Sequence, residues 1–327
     1  MPGKLTFGYL YDFRNPQQWH RPWEQVYKEA IDVAVWSEQI GFGGAWVPEH
    51  HLSSDGYLPS PLAVISAMAT RTKTIRLGTW IALAPLYHPT RFASDCAVLD
   101  IICEGRLDIG LGIGYRPTEY AAMGVDFTKR GRLFDEWLEI VTKLWAGDAV
   151  NYAGQHYQLD DVRLMPPAPR GRIPLYIGAF APKAMDRVLA YGDGYVGSTA
   201  GAELYVEKLR AQGKDASEGK VRLGDFYTLV AEDPEQAIEE LAPHFLHVNN
   251  MYAEWGGEAM DWMSLEDFKT SGKLQILTPD AAVAKYKGLQ ERMPLDHVCM
   301  MMPAGLTAEK FKPYAQLFAD KVLPAFK

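Results

Sequence analysis

The sequence predicts an α/β fold: a (β/α)8 TIM barrel of eight parallel strands, with an insertion before the eighth strand. Three observations predict it. Short apolar runs alternate with amphipathic helical segments almost from end to end. There are eight such runs, each nearly continuously apolar, as strands covered on both faces must be. No G-x-G-x-x-G turn follows the first run, which disfavours the open doubly wound sheet that shares this local alternation. One domain over residues 1–327 is expected.

The first strand is read at 5–11, and a helix follows from Glu24 to Ile40, with Gly41 as its C-cap signal. Strand two spans 43–50, a helix runs from Ser60 to Arg71, and strand three spans 74–83. The next helix opens on Pro89, where the missing N–H costs nothing, and ends at Cys103 before Gly105. Strand four is 106–114, followed by one long helix from Thr118 to Trp145. Within 148–173, Asn151, Gly154 and Gln155 mark a small hairpin, and a proline-rich connector follows it. Strand five (174–180) leads to a helix from Pro182 to Tyr191, and strand six (193–198) to a helix from Ala202 to Gln212. Strand seven (221–231) leads to a helix from Pro234 to His247. Residues 248–278 then break the alternation. They carry Tyr252, Trp255, Trp262, Phe268 and methionines including Met260 beside Gly256-Gly257, too aromatic for plain disorder, and read as a lid-like insertion with a hinge. A helix from Pro279 to Arg292, strand eight (296–304) and a helix from Ala308 to Leu323 complete the chain.

Composition narrows the function classes. The chain is 48% apolar and 23% charged, as expected of an enzyme with a sizeable core. Its net charge of −8 carries no long like-charge runs, which argues against nucleic acid or an anionic membrane as partner. The N-terminal residues lack a basic-then-apolar signal, and no stretch approaches the roughly 20 apolar residues of a membrane span. Cys96, Cys103 and Cys299 form no C-x-x-C pair and read as core residues, so a reducing cytoplasmic location is expected.

In a barrel of this kind the chemistry lies at the C-terminal strand ends. Strand two ends in Glu49-His50-His51. Neighbouring side chains on a strand face opposite ways, so only one imidazole can point into the mouth, against the H-x-H that a metal-dependent hydrolase would prefer. The same triplet can also serve only to hydrogen-bond adjacent loops. Gly110, Gly112 and Gly114 clear one face of strand four, either for a ligand or for tight internal packing. The turn Gly178-Ala179-Phe180-Ala181-Pro182-Lys183 offers backbone N–H groups to a phosphate, or is an ordinary β-to-α turn. No G-x-S-x-G elbow, P-loop or H-E-x-x-H is present, and no metal site is expected.

The ordered set of Glu49-His50-His51, Thr79, Pro85, His88-Pro89, Arg91, Leu99-Asp100, Gly105-Arg106, Gly114-Tyr115, Glu119-Tyr120 and Gly124 resembles the bacterial luciferase-like monooxygenases, over roughly 1–230 and 275–327. The resemblance implies a barrel that binds reduced flavin at its C-terminal mouth, usually as a homodimer, with a separate flavin reductase. Oxygen adds at the flavin C4a atom, and the resulting peroxyflavin oxidises a small, apolar organic substrate. His50 matches the family's catalytic histidine, with Glu49 as its support. Thr79, Trp80, Ile81, Gly112, Gly114, Gly178, Ala179, Phe180 and Ser198 fall at cofactor-binding positions, and Trp80-Ile81 match a pair joined by a non-prolyl cis peptide.

The departures concern the flavin's surroundings. Gly112 replaces a reactive cysteine, Ile113 a phosphate-binding arginine, and Phe180 and Ala181 polar phosphate contacts. The flavin phosphate is therefore expected to be weakly held. Relatives using the deazaflavin F420 for hydride transfer share the barrel but more often carry aspartate before the strand-two histidine, so Glu49 favours FMN. A non-catalytic flavin-binding protein is the remaining alternative.

Overall fold

The computed structural model describes residues 4–256 and 261–327. Its strands are β1 (Thr6–Leu10), β2 (Gly44–Val47), β3 (Arg76–Leu83), β4 (Leu107–Gly112), β5 (Val150–Ala153), β6 (Gln158–Val162), β7 (Leu175–Ile177), β8 (Gly194–Gly197), β9 (Val221–Gly224), β10 (Thr228–Val230), β11 (Gln275–Leu277) and β12 (Leu295–Met301). Eight of them close a parallel barrel in the order β1, β2, β3, β4, β7, β8, β9, β12 and back to β1. The closing seam pairs Thr6 with His297 through Leu10 with Met301. All four residues of β2, all six of β4 and all three of β7 are buried, as the apolar runs require. The expected barrel is thus the observed one.

The helices are α1 (Trp23–Gln39), α2 (Pro61–Ala69), α3 (Pro89–Ile102), α4 (Pro117–Ala122), α5 (Arg130–Ala146), α6 (Pro182–Tyr191), α7 (Thr199–Ala211), α8 (Pro234–Glu254), α9 (Leu265–Thr270), α10 (Pro279–Arg292) and α11 (Ala308–Lys321). Proline opens α2, α3, α4, α6, α8 and α10, where its fixed φ is already helical. The hairpin expected in 148–173 is the antiparallel pair β5–β6.

Three elements differ from expectation, each for a local reason. The long helix after strand four is two helices, because Gly124 takes φ 69° after α4 and the Asp126 carboxylate then accepts from Thr128 N at 2.9 Å to start a new turn. Strand seven is also two pieces. After β9, Asp225 folds the chain back on itself: its carboxylate accepts from Thr228 Oγ1 at 2.9 Å and from Tyr286 OH at 3.0 Å. Beyond that turn β10 leaves the barrel and pairs with β11. Helix α8 continues past His247 to Glu254, since Asn249 and Asn250 use their side chains on the returning chain. Asn249 Nδ2 donates to Asp261 O at 2.8 Å, and Asn250 Oδ1 accepts from Met263 N at 3.0 Å.

The 248–278 segment therefore combines the end of α8 with α9 and β11. Phe268 is fully buried in the core, whereas Trp262 is 67% exposed. Gly257 and Met260 lie outside the described residues.

Candidate active site

The Glu49-His50-His51 triplet follows β2 at the C-terminal barrel mouth, and α4 follows β4 close by. Their meeting point is Glu119, in the first turn of α4 and fully buried. Its Oε1 accepts from His50 Nδ1 at 3.0 Å, from the His51 backbone N–H at 2.8 Å and from Arg116 Nη1 at 3.0 Å. Burial opposes ionisation of Glu119, but the hydrogen bonds from His50 and the His51 backbone and the Arg116 cation hold its pKa below the usual value. An ionised carboxylate only accepts, so His50 carries its proton on Nδ1, and Nε2 is left as the acceptor. Burial, with Arg14 and Arg116 nearby, outweighs Glu119 and lowers the His50 pKa, so the imidazole is neutral at neutral pH.

Glu49 was expected to support His50, and its hydrogen bonds run elsewhere. Its Oε2 accepts from Leu83 N at 2.9 Å, and its Oε1 accepts from Tyr87 OH and pairs with His51 Nε2, both at 2.8 Å. Glu49 thus joins the end of β2 to the end of β3, and the support of His50 passes to Glu119. The two imidazoles are held by different carboxylates, which does not suit a shared metal. Among the described residues no cluster of three or more His, Cys, Asp or Glu side chains is arranged for a metal ion.

Aromatic rings enclose His50. Tyr57 stacks on it at 5.1 Å, Trp255 lies at 5.0 Å, and Tyr115 and Tyr252 present edges at 5.8 and 5.9 Å. Tyr252 and Trp255 come from the C-terminal end of α8 and the residue after it. The Tyr57 and Tyr252 hydroxyls meet at 3.0 Å, and the Arg116 guanidinium lies 4.0 Å from the Trp255 ring centre. His247 Nε2, one α-helical turn or more before these rings, reaches Asp55 Oδ2 at 2.8 Å. The end of α8 is in this way fastened over the histidine.

The residues expected at the cofactor lie on β3, at and just after the end of β4, and in the turns after β7 and β8. The Trp80-Ile81 peptide is cis. Trp80 turns into the barrel against Trp46 at 5.7 Å and Phe226 at 6.1 Å. Ile81 lies across the glycines of strand four: a Cβ on Gly112 would stand 2.2 Å from Ile81 Cδ1, and one on Gly178 would stand 3.4 Å from the same atom. The glycine row is thus explained in part by packing of Ile81. Thr79 was expected to contact the cofactor, but its hydroxyl bridges to β4, donating to Gly110 O at 2.7 Å and accepting from Gly110 N at 3.0 Å. It repairs the ladder where the β3–β4 register shifts. Gly114 takes φ 67° beside Leu83 and Tyr120. Ala179 is buried, Phe180 is 74% exposed, and the Ser198 hydroxyl accepts from Gly201 N as the N-cap of α7.

Sequence reasoning missed the roles of Glu119, Arg116, Arg14 and Tyr57. The R-x-x-E spacing of Arg116 and Glu119 just after the glycine-rich strand was a readable signal, since residues three apart share a helix face. Nothing in the sequence distinguishes Arg14 or Tyr57.

A model of the luciferase-like monooxygenase family matches residues 5–293. An F420-dependent glucose-6-phosphate dehydrogenase of Amycolatopsis mediterranei is 28% identical over 92% of this chain and 95% of its own length. The oxygenase component of a flavin-dependent trigonelline monooxygenase from Acinetobacter baylyi is 31% identical over 52% of this chain, a stretch that spans about half (48%) of that relative. The crystal structure of a monooxygenase from Streptomyces bottropensis superposes with a TM-score of 0.84 at 23% identity, over 99% of this chain and 100% of the other. The chain belongs to the luciferase-like monooxygenase family and is, like its relatives, a flavin- or F420-dependent oxidoreductase.

Proposed function

We propose that this enzyme is a monooxygenase that oxidises a small, largely apolar organic molecule with dioxygen and reduced FMN, and that His50 handles the proton. The observation that carries this reading is the buried His50–Glu119 pair facing an aromatic enclosure at the barrel mouth. Reduced FMN, when bound, supplies the two electrons by which one oxygen atom enters the substrate and the other leaves as water. A flat ring system would rest on Ile81 and the backbone of Gly112–Gly114 and Gly178–Ala179, the positions that the family resemblance assigns to the cofactor together with Ser198. Side-chain donors for its phosphate are missing at Ile113, Phe180 and Ala181.

Each residue has a task in this reading. Glu119 fixes the His50 tautomer, so that Nε2 accepts a proton at the reacting centre and returns it. Tyr57, Tyr252 and Trp255 exclude water, which matters for a reaction whose failure releases hydrogen peroxide. The 248–278 segment serves as the lid through its first residues, at the end of α8. The electrons come from a separate reductase, a reading supported by the family resemblance and by the relative that is named the oxygenase component of a flavin-dependent monooxygenase. Val98, Ile101 and Ile102 form a half-exposed apolar stripe on α3, which supports a homodimer.

The second reading is F420-dependent hydride transfer, favoured by the relative that aligns over nearly its whole length. Oxygen consumption decides between them. The enzyme given chemically reduced FMN and a candidate substrate should consume dioxygen and form product, whereas turnover with reduced or oxidised F420 under anaerobic conditions would overturn the proposal.

A further inference from the structure

Beside His50, on a different strand end, lies a buried guanidinium that the chemistry above leaves unused. Arg14 follows β1 and its side chain is 0% exposed. Its Nη1 donates to Asp12 Oδ2 at 3.2 Å and its Nε lies 3.3 Å from Asp55 Oδ2. Its Nη2 has no hydrogen-bond partner among the described residues. The guanidinium carbon stands 3.6 Å from the Tyr57 ring centre, 5.2 Å from Tyr252 and 5.9 Å from Trp255, three of the rings that also enclose His50.

Two further donors share this neighbourhood. The Tyr115 and Tyr227 hydroxyls are buried and likewise without a partner among the described residues. Burial, followed by the adjacent Tyr252, pushes both phenols far above their ordinary pKa, so each keeps its proton and can donate. A buried donor without an acceptor is costly, and most folded proteins carry few. Buried side-chain polar atoms without a partner occur elsewhere among the described residues, and the Glu119 Oε2 acceptor is one of them; what sets these three donors apart is that they gather around the rings that enclose His50.

We propose that Arg14, Tyr115 and Tyr227 form a subsite for an uncharged carbonyl oxygen on a flat aromatic substrate, which Tyr57, Tyr252 and Trp255 hold beside His50. The charge of the ligand follows from the surroundings of Arg14. Asp55 is held at about 2, where burial is outweighed by His247, Arg14 and Ser53, and is ionised. Asp12 is raised by burial to about 6 despite Arg14, and is mostly ionised at neutral pH. The neighbouring Arg116 is matched by Glu119. A substrate carboxylate would therefore enter without a free cation to meet it, whereas a carbonyl needs only the donors.

This inference names the substrate class of the site proposed above and rests on that reading. Its test needs no turnover, so the two can fail separately. The full-length enzyme, without and then with FMN, is titrated by calorimetry with 2-acetylnaphthalene, 2-ethylnaphthalene and 2-naphthoate. The ketone should bind roughly tenfold more tightly than the hydrocarbon of similar shape, and more tightly than the carboxylate. Tyr227→Phe removes a hydroxyl that has no described partner, so the fold should stand while the preference for the ketone falls roughly three- to tenfold. Arg14→Met should abolish the preference; if loss of its contacts to Asp12 and Asp55 unfolds that variant, Tyr227→Phe carries the test. Equal affinity for ketone and hydrocarbon, tightest binding of the naphthoate, no binding of any of the three, or an unchanged preference in Tyr227→Phe would overturn the proposal.

Discussion

His50 Nδ1 lies 3.0 Å from Glu119 Oε1, and this contact decides which imidazole nitrogen is free for chemistry. Two opposed effects act on the same ring. Burial and two arginines lower its pKa, while the carboxylate raises it. The neutral, Nδ1-protonated form is the one the site is built for.

The pH dependence follows from the sign of that shift. His50 titrates below its ordinary 6.5, so the acidic limb of kcat/KM should lie below pH 6.5, with activity maintained above it. The fold disfavours the imidazolium, so this group's stabilising contribution is present above pH 6.5 and is lost as the pH falls below it. Glu119→Gln removes a group that raises the His50 pKa, and the limb should shift to still lower pH while the rate drops. A merely structural role for Glu119 would leave the limb in place. His50→Ala should lower product formation by roughly 10²–10⁴-fold while the barrel keeps its melting transition; wild-type product yield in that variant would remove His50 from the mechanism.

Glu49 should behave as a structural residue. Glu49→Ala leaves the Leu83 N–H, the Tyr87 hydroxyl and His51 without their acceptor in a buried place. Each such loss costs about 1–3 kcal/mol, so chemical denaturation should show a clear drop in stability of a few kcal/mol. If Glu49→Ala folds with unchanged stability and loses activity alone, the residue is part of the chemistry after all.

The barrel was legible because its strands are buried on both faces and its helices open on prolines, both of which leave marks in a single sequence. The breaks were not. Asp225 turns strand seven through hydrogen bonds to Thr228 and Tyr286, and Tyr286 is 61 residues away in sequence. At the site, the position of His50 was readable from its place at a strand end. The neighbouring Glu49 is the partner the sequence suggests, whereas the carboxylate that reaches His50 is 69 residues away, and its R-x-x-E spacing with Arg116 marks a shared helix face without showing that it meets β2. Arg14 and Tyr57 are ordinary in sequence, and only packing makes them unusual.

Trp255 should govern coupling. It lies 5.0 Å from the His50 ring and 4.0 Å from the Arg116 guanidinium, at the end of α8. Deleting 248–278 would cut that helix and the contacts of β10 with β11, so a point change is the cleaner probe. Trp255→Ala should open the enclosure to water and raise the hydrogen peroxide released per dioxygen consumed, with less product formed. A folded variant with unchanged coupling would show that the end of α8 does not serve as a lid.

The flavin phosphate should be weakly held. Phe180 is 74% exposed and α6 begins at Pro182, so this turn presents backbone N–H groups and the exposed Lys183, which compensate only in part for the missing side-chain contacts. The Ser198 hydroxyl oxygen is engaged as an N-cap, which leaves one O–H to donate. Ile113, partly buried against the core, offers no charge. A hydrogen bond to a charged group contributes about 1.5–3 kcal/mol, so without one FMN should bind no more than about tenfold more tightly than riboflavin. Ile113→Arg should widen that gap to roughly a hundredfold if the phosphate lies where this turn meets β4. Calorimetric titration of both ligands against both proteins reads the difference directly. Stoichiometric FMN retained through purification of the wild type would mean that other residues hold the phosphate, and an unchanged ratio in Ile113→Arg would place it elsewhere on the mouth.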